Sequence, residues 1–113
     1  MFNGTPRTLD IDVSNLATTQ FLNEHDVDPT DAIIAKAVTY LRDTAGDDVR
    51  IGATGYCFGG RYSFRTTTKE GGAHVAFAAH PANLADDEIT AVIGPASVAG
   101  AGESLTSPSS GLF

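Results

Sequence analysis

The chain has 113 residues, 42% hydrophobic and 19% charged, with 7 basic against 14 acidic residues and a formal charge of −7. That length allows one domain with one modest core, and that composition excludes a disordered chain. The acidic balance opposes a basic footprint for nucleic acid or for an anionic membrane surface.

Cys57 is the single cysteine, so no internal disulfide forms and nothing points to an oxidising compartment. No apolar run approaches the roughly 20 residues that span a bilayer. The start, "MFNGTPRTLD", lacks a charged-then-apolar leader pattern. These features set the expectation of a cytoplasmic protein.

No internal repeat is visible. Residues 1–12 are turn-rich, with Asn3-Gly4 and Thr5-Pro6. Residues 13–24 carry Val13, Leu16, Ala17, Phe21 and Leu22 at helical spacing and predict a short helix. The clearest helix follows. Asp28 can cap it, Pro29 suits its first position, and Gly46 stops it. Its apolar stripe is Ile33, Ile34, Ala37, Val38 and Leu41. Residues 49–55, "VRIGATG", read as a buried parallel strand. Residues 59–68 predict a helix whose threonines weaken its end, and residues 73–80, "AHVAFAAH", a second buried strand. "ADDEITAVIG" predicts a short acidic helix, and "PASVAGA", residues 95–101, a third strand. From residue 30 onward the order is helix, strand, helix, strand, helix, strand. That alternation predicts an α/β fold with about three parallel strands and crossover helices. So small a sheet leaves edges through which copies can self-associate.

The stretch "GATGYCFGGRY" places Cys57 between a strand and a helix, with Gly55 two residues before and Gly59 and Gly60 after. Gly-x-nucleophile-x-Gly in that context is the nucleophile-elbow pattern. The central residue takes strained backbone angles that lift its side chain clear of the sheet, and flanking glycines avoid the crowding that results. A thiol there sits at a helix N-terminus, which favours the thiolate, and the Phe58 amide is the expected oxyanion donor. The competing reading makes Cys57 a small buried core side chain. A phosphate loop fits poorly, because the glycines do not form G-x-G-x-x-G and no Gly-Lys-Ser/Thr follows.

"IGATGYCFGGRY", with "HVAFAAHPANLADDEITAVIGPASVAGAGE" downstream, resembles the dienelactone hydrolase family, most closely its fungal branch. "FNGTP" resembles the family's loop after an early strand, and "DPTDAIIAKAVTYLR" its next helix. The likeness runs over about residues 2–104, which would be the central part of an α/β-hydrolase domain, with 105–113 an irregular tail. It implies a Cys-His-Asp triad that opens esters or lactones through an acyl-thioester, with Cys57 as nucleophile and no metal or cofactor. Where the family's acid is expected stand Ser104 and Leu105, with Glu103 adjacent but out of register. The family's histidine lies beyond, so the resemblance implies a fold shortened at both ends.

Three histidines are present. His80 ends the second predicted strand and can share the carboxyl rim with Cys57, but "AHP" resembles a strand-end element of the family distinct from its triad base. His80, Tyr56 and Arg61 are therefore candidate site-lining residues, Arg61 also as a partner for a nearby acid. His74 begins its strand at the wrong end, and His25 sits in an acidic loop. The run Glu24, Asp26, Asp28, Asp31 fails as a calcium loop, since Asp31 and Ala37 stand where glycine and glutamate are required. Asp86, Asp87 and Glu88 read as an acidic first helical turn. Two functions remain: a Cys57 hydrolase of small esters or lactones, and an inactive remnant or interaction module of that fold.

Overall fold

The computed structural model describes residues 25–100. The predicted helix over 13–24 and the tail over 105–113 lie outside them. The described elements are α1 (Val27–Ala45), β1 (Gly52–Tyr56), α2 (Phe58–Thr66), β2 (Val75–Ala79), α3 (Asp86–Thr90) and β3 (Ala96–Ala99). This is the expected alternation, with each strand shorter than its apolar run.

α1 begins two residues before the position expected from Asp28 and Pro29. Asp26 is the N-cap, and its carbonyl accepts the Thr30 amide at 3.2 Å, without a capping bond from its side chain. Pro29 therefore sits inside the first turn, where a missing N–H costs nothing because those donors lack helical partners anyway. Gly46 ends α1 at φ 92°, and its amide bonds Arg42 O at 2.8 Å. The apolar stripe of α1 is only partly covered: Leu41 is exposed, and Ile33, Ile34 and Val38 are half-buried.

The three strands are parallel in the order β1-β2-β3, with Thr54 opposite Phe77 and Phe77 opposite Ser97. Both connections step in the same direction. Right-handed crossovers then put α2 and α3 on one face. That face holds the core: Phe64 of α2, Ala76 and Ala78 of β2 and Ile89 of α3, flanked by Leu84, Val92, Ala96 and Val98. Small residues on β2 let α2 approach closely.

The opposite face corrects the expectation of strands buried on both sides. Among the described residues nothing covers it, and Tyr56, Val75 and Phe77 stand exposed there. No further strand pairs with either edge among the described residues.

The threonines that close α2 turn inward. Thr66 and Thr67 hydroxyls donate to the carbonyls of Tyr62 and Ser63 at 2.6 and 2.9 Å. The carbonyls of Thr66 and Thr67 accept the amides of Ala73 and Ile93 at 2.9 and 3.0 Å. These bonds satisfy the helix terminus and pin it to the strand entrances.

Candidate active site

Cys57 is the N-cap of α2, between the last residue of β1 and the first helical turn. Its backbone is at φ 50°, ψ −116°, a positive φ that a non-glycine residue rarely adopts. The side chain is exposed, so Cys57 is not a core thiol. Such strain costs of order 1–3 kcal/mol and persists only where the surroundings over-determine it. Here they do. The Cys57 amide donates to Ala79 O at 3.0 Å, while its carbonyl accepts the amides of Gly60 and Ala82, each at 3.0 Å.

The glycines divide the task differently from the motif. A Cβ at Gly55 would overlap the Gly59 carbonyl and come within 2.7 Å of Gly60 N, so this glycine is required by a close backbone approach. Gly59 corrects the expectation of crowding on both sides, because a Cβ there would meet nothing within 4 Å. The second close approach is at Gly60, where a Cβ would lie 2.9 Å from Pro81 Cα. The helix turn thus presses on the segment that leaves β2, one position later than the motif suggests.

That segment starts with His80. Tyr56 and Ala79 are the last register pair of β1 and β2, so Cys57 and His80 emerge side by side at the carboxyl ends of neighbouring strands. His80 is exposed, has φ 37°, and its amide donates to Ala99 O at 2.7 Å. No hydrogen bond joins the His80 and Cys57 side chains. Tyr56 is 64% exposed and belongs to the uncovered face. Phe58 opens α2, and its ring meets that of Tyr62 with centroids 4.9 Å apart.

His74 is at the far end of the sheet. Its Nδ1 accepts the Ile51 amide at 3.0 Å, and its own amide donates to Ile51 O at 2.8 Å. It joins the entrances of β1 and β2. The His25 carbonyl accepts the Thr30 hydroxyl at 2.9 Å. Among the described residues no group of three or more His, Cys, Asp or Glu is placed to hold a metal.

Arg61 reaches into an ionic cluster. Its Nε reaches both Glu88 oxygens at 2.9 and 3.0 Å, and Nη1 lies 3.6 Å from Asp26. Arg65 bonds Glu88 at 2.7 Å and Asp31 at 2.5 Å. Glu88 also accepts the Ala85 amide at 2.9 Å, the reciprocal bond of a helix start. Glu88 is therefore more than one of three acids in a first turn: its side chain is 4% exposed and gathers α2, α3 and the segment between β2 and α3. Burial alone would raise its pKa; bonds from Arg61, Ala85 and Arg65 outweigh burial and hold it below the usual carboxylate range. The Glu88 bond holds the Arg61 guanidinium pKa above its ordinary value, and bonds to Asp31 first and Glu88 second do the same for Arg65. Burial pushes the Tyr62 phenol up, against a smaller opposing interaction with Thr30.

A groove of about 400 Å³ runs between α1, α2 and α3, lined by Asp31, Ile34, Arg65, Glu70 and Asp87 among others. None of its lining residues is on the Cys57 rim, so it is separate from the elbow. Among the described residues no helix is long and apolar enough to cross a membrane.

The chain is similar to two fungal proteins. It is 35% identical over 98 residues to Hydrolase pyvD of Aspergillus violaceofuscus, covering 87% of this chain and 39% of that one. It is 40% identical over 52 residues to Hydrolase tropI of Talaromyces stipitatus, covering 46% of this chain and 20% of that one. The chain thus spans two-fifths or less of the length of these relatives. No solved structure matches it significantly. The family model described as "Dienelactone hydrolase family" matches residues 7–105, a stretch that holds the elbow and all three strands. A match over so much of the sequence settles descent: the chain belongs to the dienelactone hydrolase family.

Proposed function

We propose that this chain carries the nucleophile of a carboxylic-ester or lactone hydrolase, and that Cys57 is that nucleophile. The observation that carries the reading is the exposed thiol at φ 50°, ψ −116°, on the N-terminus of a nine-residue helix. The turn lifts Sγ onto the carboxyl rim of the sheet, where an open α/β sheet takes its ligands.

In the proposed reaction the Cys57 thiolate attacks the substrate carbonyl carbon, and the Phe58 amide supports the oxyanion. Collapse breaks the C–O bond to the leaving group, which takes up the proton the thiol gave to a base. An acyl-thioester remains. Water then adds to it, the C–S bond breaks, and the products are a carboxylic acid and the free thiol. His80 and Tyr56 line the site. The triad base is a separate histidine, as the resemblance of "AHP" to a strand-end element distinct from that base implies. The substrate is a small ester or lactone, and the catalytic residues need no metal or cofactor.

The test is turnover of a small activated ester such as p-nitrophenyl acetate. Loss of turnover in Cys57→Ala supports the reading; unchanged turnover refutes it. A second reading, a non-catalytic module of the same fold, is favoured by the uncovered sheet face bearing Tyr56, Val75 and Phe77. It predicts no turnover and strong binding of a hydrophobic dye, which Phe77→Ser would reduce.

A further inference from the structure

Glu88 is a buried ionisable group with no part in the chemistry proposed above. Its carboxylate accepts from Arg61 Nε at 2.9 and 3.0 Å, from Arg61 Nη2 at 2.8 Å, from Arg65 Nη1 at 2.7 Å and from the Ala85 amide at 2.9 Å. These partners belong to two different segments. Arg61 and Arg65 are on α2, whose N-cap is Cys57. Ala85 ends the segment that leaves β2 with His80 and Pro81.

Those two segments also grip Cys57. The carbonyl of Cys57 accepts the Gly60 amide from α2 and the Ala82 amide from the exit segment, both at 3.0 Å. Gly60 packs on Pro81 so closely that a Cβ would come within 2.9 Å of Pro81 Cα. The contacts close into a ring: Cys57, Gly60 and Arg61 on one side, Glu88 at the far point, Ala85 and Ala82 on the return. A strained residue stays strained only while its surroundings prevent relaxation. The exit segment itself has positive φ at His80 and Asn83, so it too needs an outside hold.

We propose that Glu88 is a positioning residue for Cys57: it ties the first turns of α2 to the exit segment of β2 and thereby keeps the elbow peptide in its strained geometry. Only the catalytic consequence rests on Cys57 being the nucleophile. The coupling between Glu88 and the thiol stands or falls by itself.

Charge and position act in opposite directions here, which makes the proposal testable. Glu88→Gln removes one negative charge from a cluster in which Arg61 keeps Asp26 at 3.6 Å and Arg65 keeps Asp31 at 2.5 Å, and that loss by itself would lower the pH at which Cys57 ionises. Release of the elbow moves Sγ off the helix terminus and raises it. The experiment is the pH profile of Cys57 alkylation by iodoacetamide in wild type, Glu88→Gln and Val98→Ala, the last a core truncation outside the ring. The expected result is a midpoint raised by about half a pH unit in Glu88→Gln, the size of one charge interaction with a helix end. Val98→Ala should keep the wild-type midpoint even as its melting temperature falls. A midpoint in Glu88→Gln that is unchanged or lowered, or a rise of equal size in Val98→Ala, overturns the proposal. Should Glu88→Gln not fold, Arg61→Lys keeps the charge but loses the two-oxygen grip, and an unmoved midpoint there overturns it equally. Ester turnover in Cys57→Ala is read separately, so failure of the nucleophile reading and failure of the coupling are distinguishable.

Discussion

Gly55→Ala and Gly59→Ala remove the two glycines that flank Cys57 symmetrically in sequence, and the structure gives them opposite signs. At Gly55 the mildest of three backbone clashes is 2.7 Å to Gly60 N. Comfortable contact needs about 3.5 Å, so clearing Gly60 N alone takes a retreat of close to 1 Å, and clearing the nearer Gly59 carbonyl takes more. Because the obstacle is main chain, the cost belongs at the upper end for overpacking, about 3 kcal/mol. For a domain of this size that lowers the melting temperature by roughly 12–24 °C. At Gly59 an added methyl meets nothing within 4 Å, inside a helix with ordinary backbone angles. Alanine there gains about 0.5–1 kcal/mol, or roughly 2–8 °C. Thermal melts followed by circular dichroism at 222 nm check both. If the two variants melt within about 2 °C of each other, the close approach of Gly55 to Gly59 is not real and the elbow geometry falls with it.

Gly60→Ala should destabilise by about 1 kcal/mol or more, because its methyl would meet Pro81 Cα at 2.9 Å, and the melt should show it. Cys57→Gly should melt no lower than wild type while losing all alkylation, since glycine relieves a positive φ that costs of order 1–3 kcal/mol. His74→Ala should cost about 1–3 kcal/mol in denaturant unfolding by leaving the amide of buried Ile51 without its acceptor. The pKa of Glu88 is depressed on folding, so its contribution is fully present above its ordinary value near 4.5 and is lost as pH falls through the lower folded value. The melting temperature should therefore fall on acidification below about pH 5. Glu88→Gln should flatten that fall; an equal fall in the variant would show that other carboxylates cause it.

Much of the fold was legible because its signals are local. Gly46 stops α1 with a positive φ, and the alternation of apolar runs with capped helices already implies parallel strands and crossovers. Gly55 and Cys57 could be read because the turn needs special residues at fixed offsets. What escaped the sequence is long-range. Glu88 looks like any acid in a first turn, and its partners Arg61 and Arg65 lie 27 and 23 residues away. Its one local signal was the three-residue spacing from Ala85, which fits a helix-start bond. Gly60, not Gly59, meets a neighbouring segment because Pro81 follows a different strand. The bare face of the sheet was hidden by composition: an apolar run reads as buried whether or not anything in the chain covers its second side.

The central claim is that the Cys57 sulfur attacks a carbonyl. Acid quench of the protein mixed with excess p-nitrophenyl acetate, followed by peptide mass spectrometry, tests it most directly. The account predicts one acetyl group, on the peptide containing Cys57, that forms faster than on the unfolded chain and is absent in Cys57→Ala. Acetylation spread over lysines with the Cys57 peptide unmodified would contradict it.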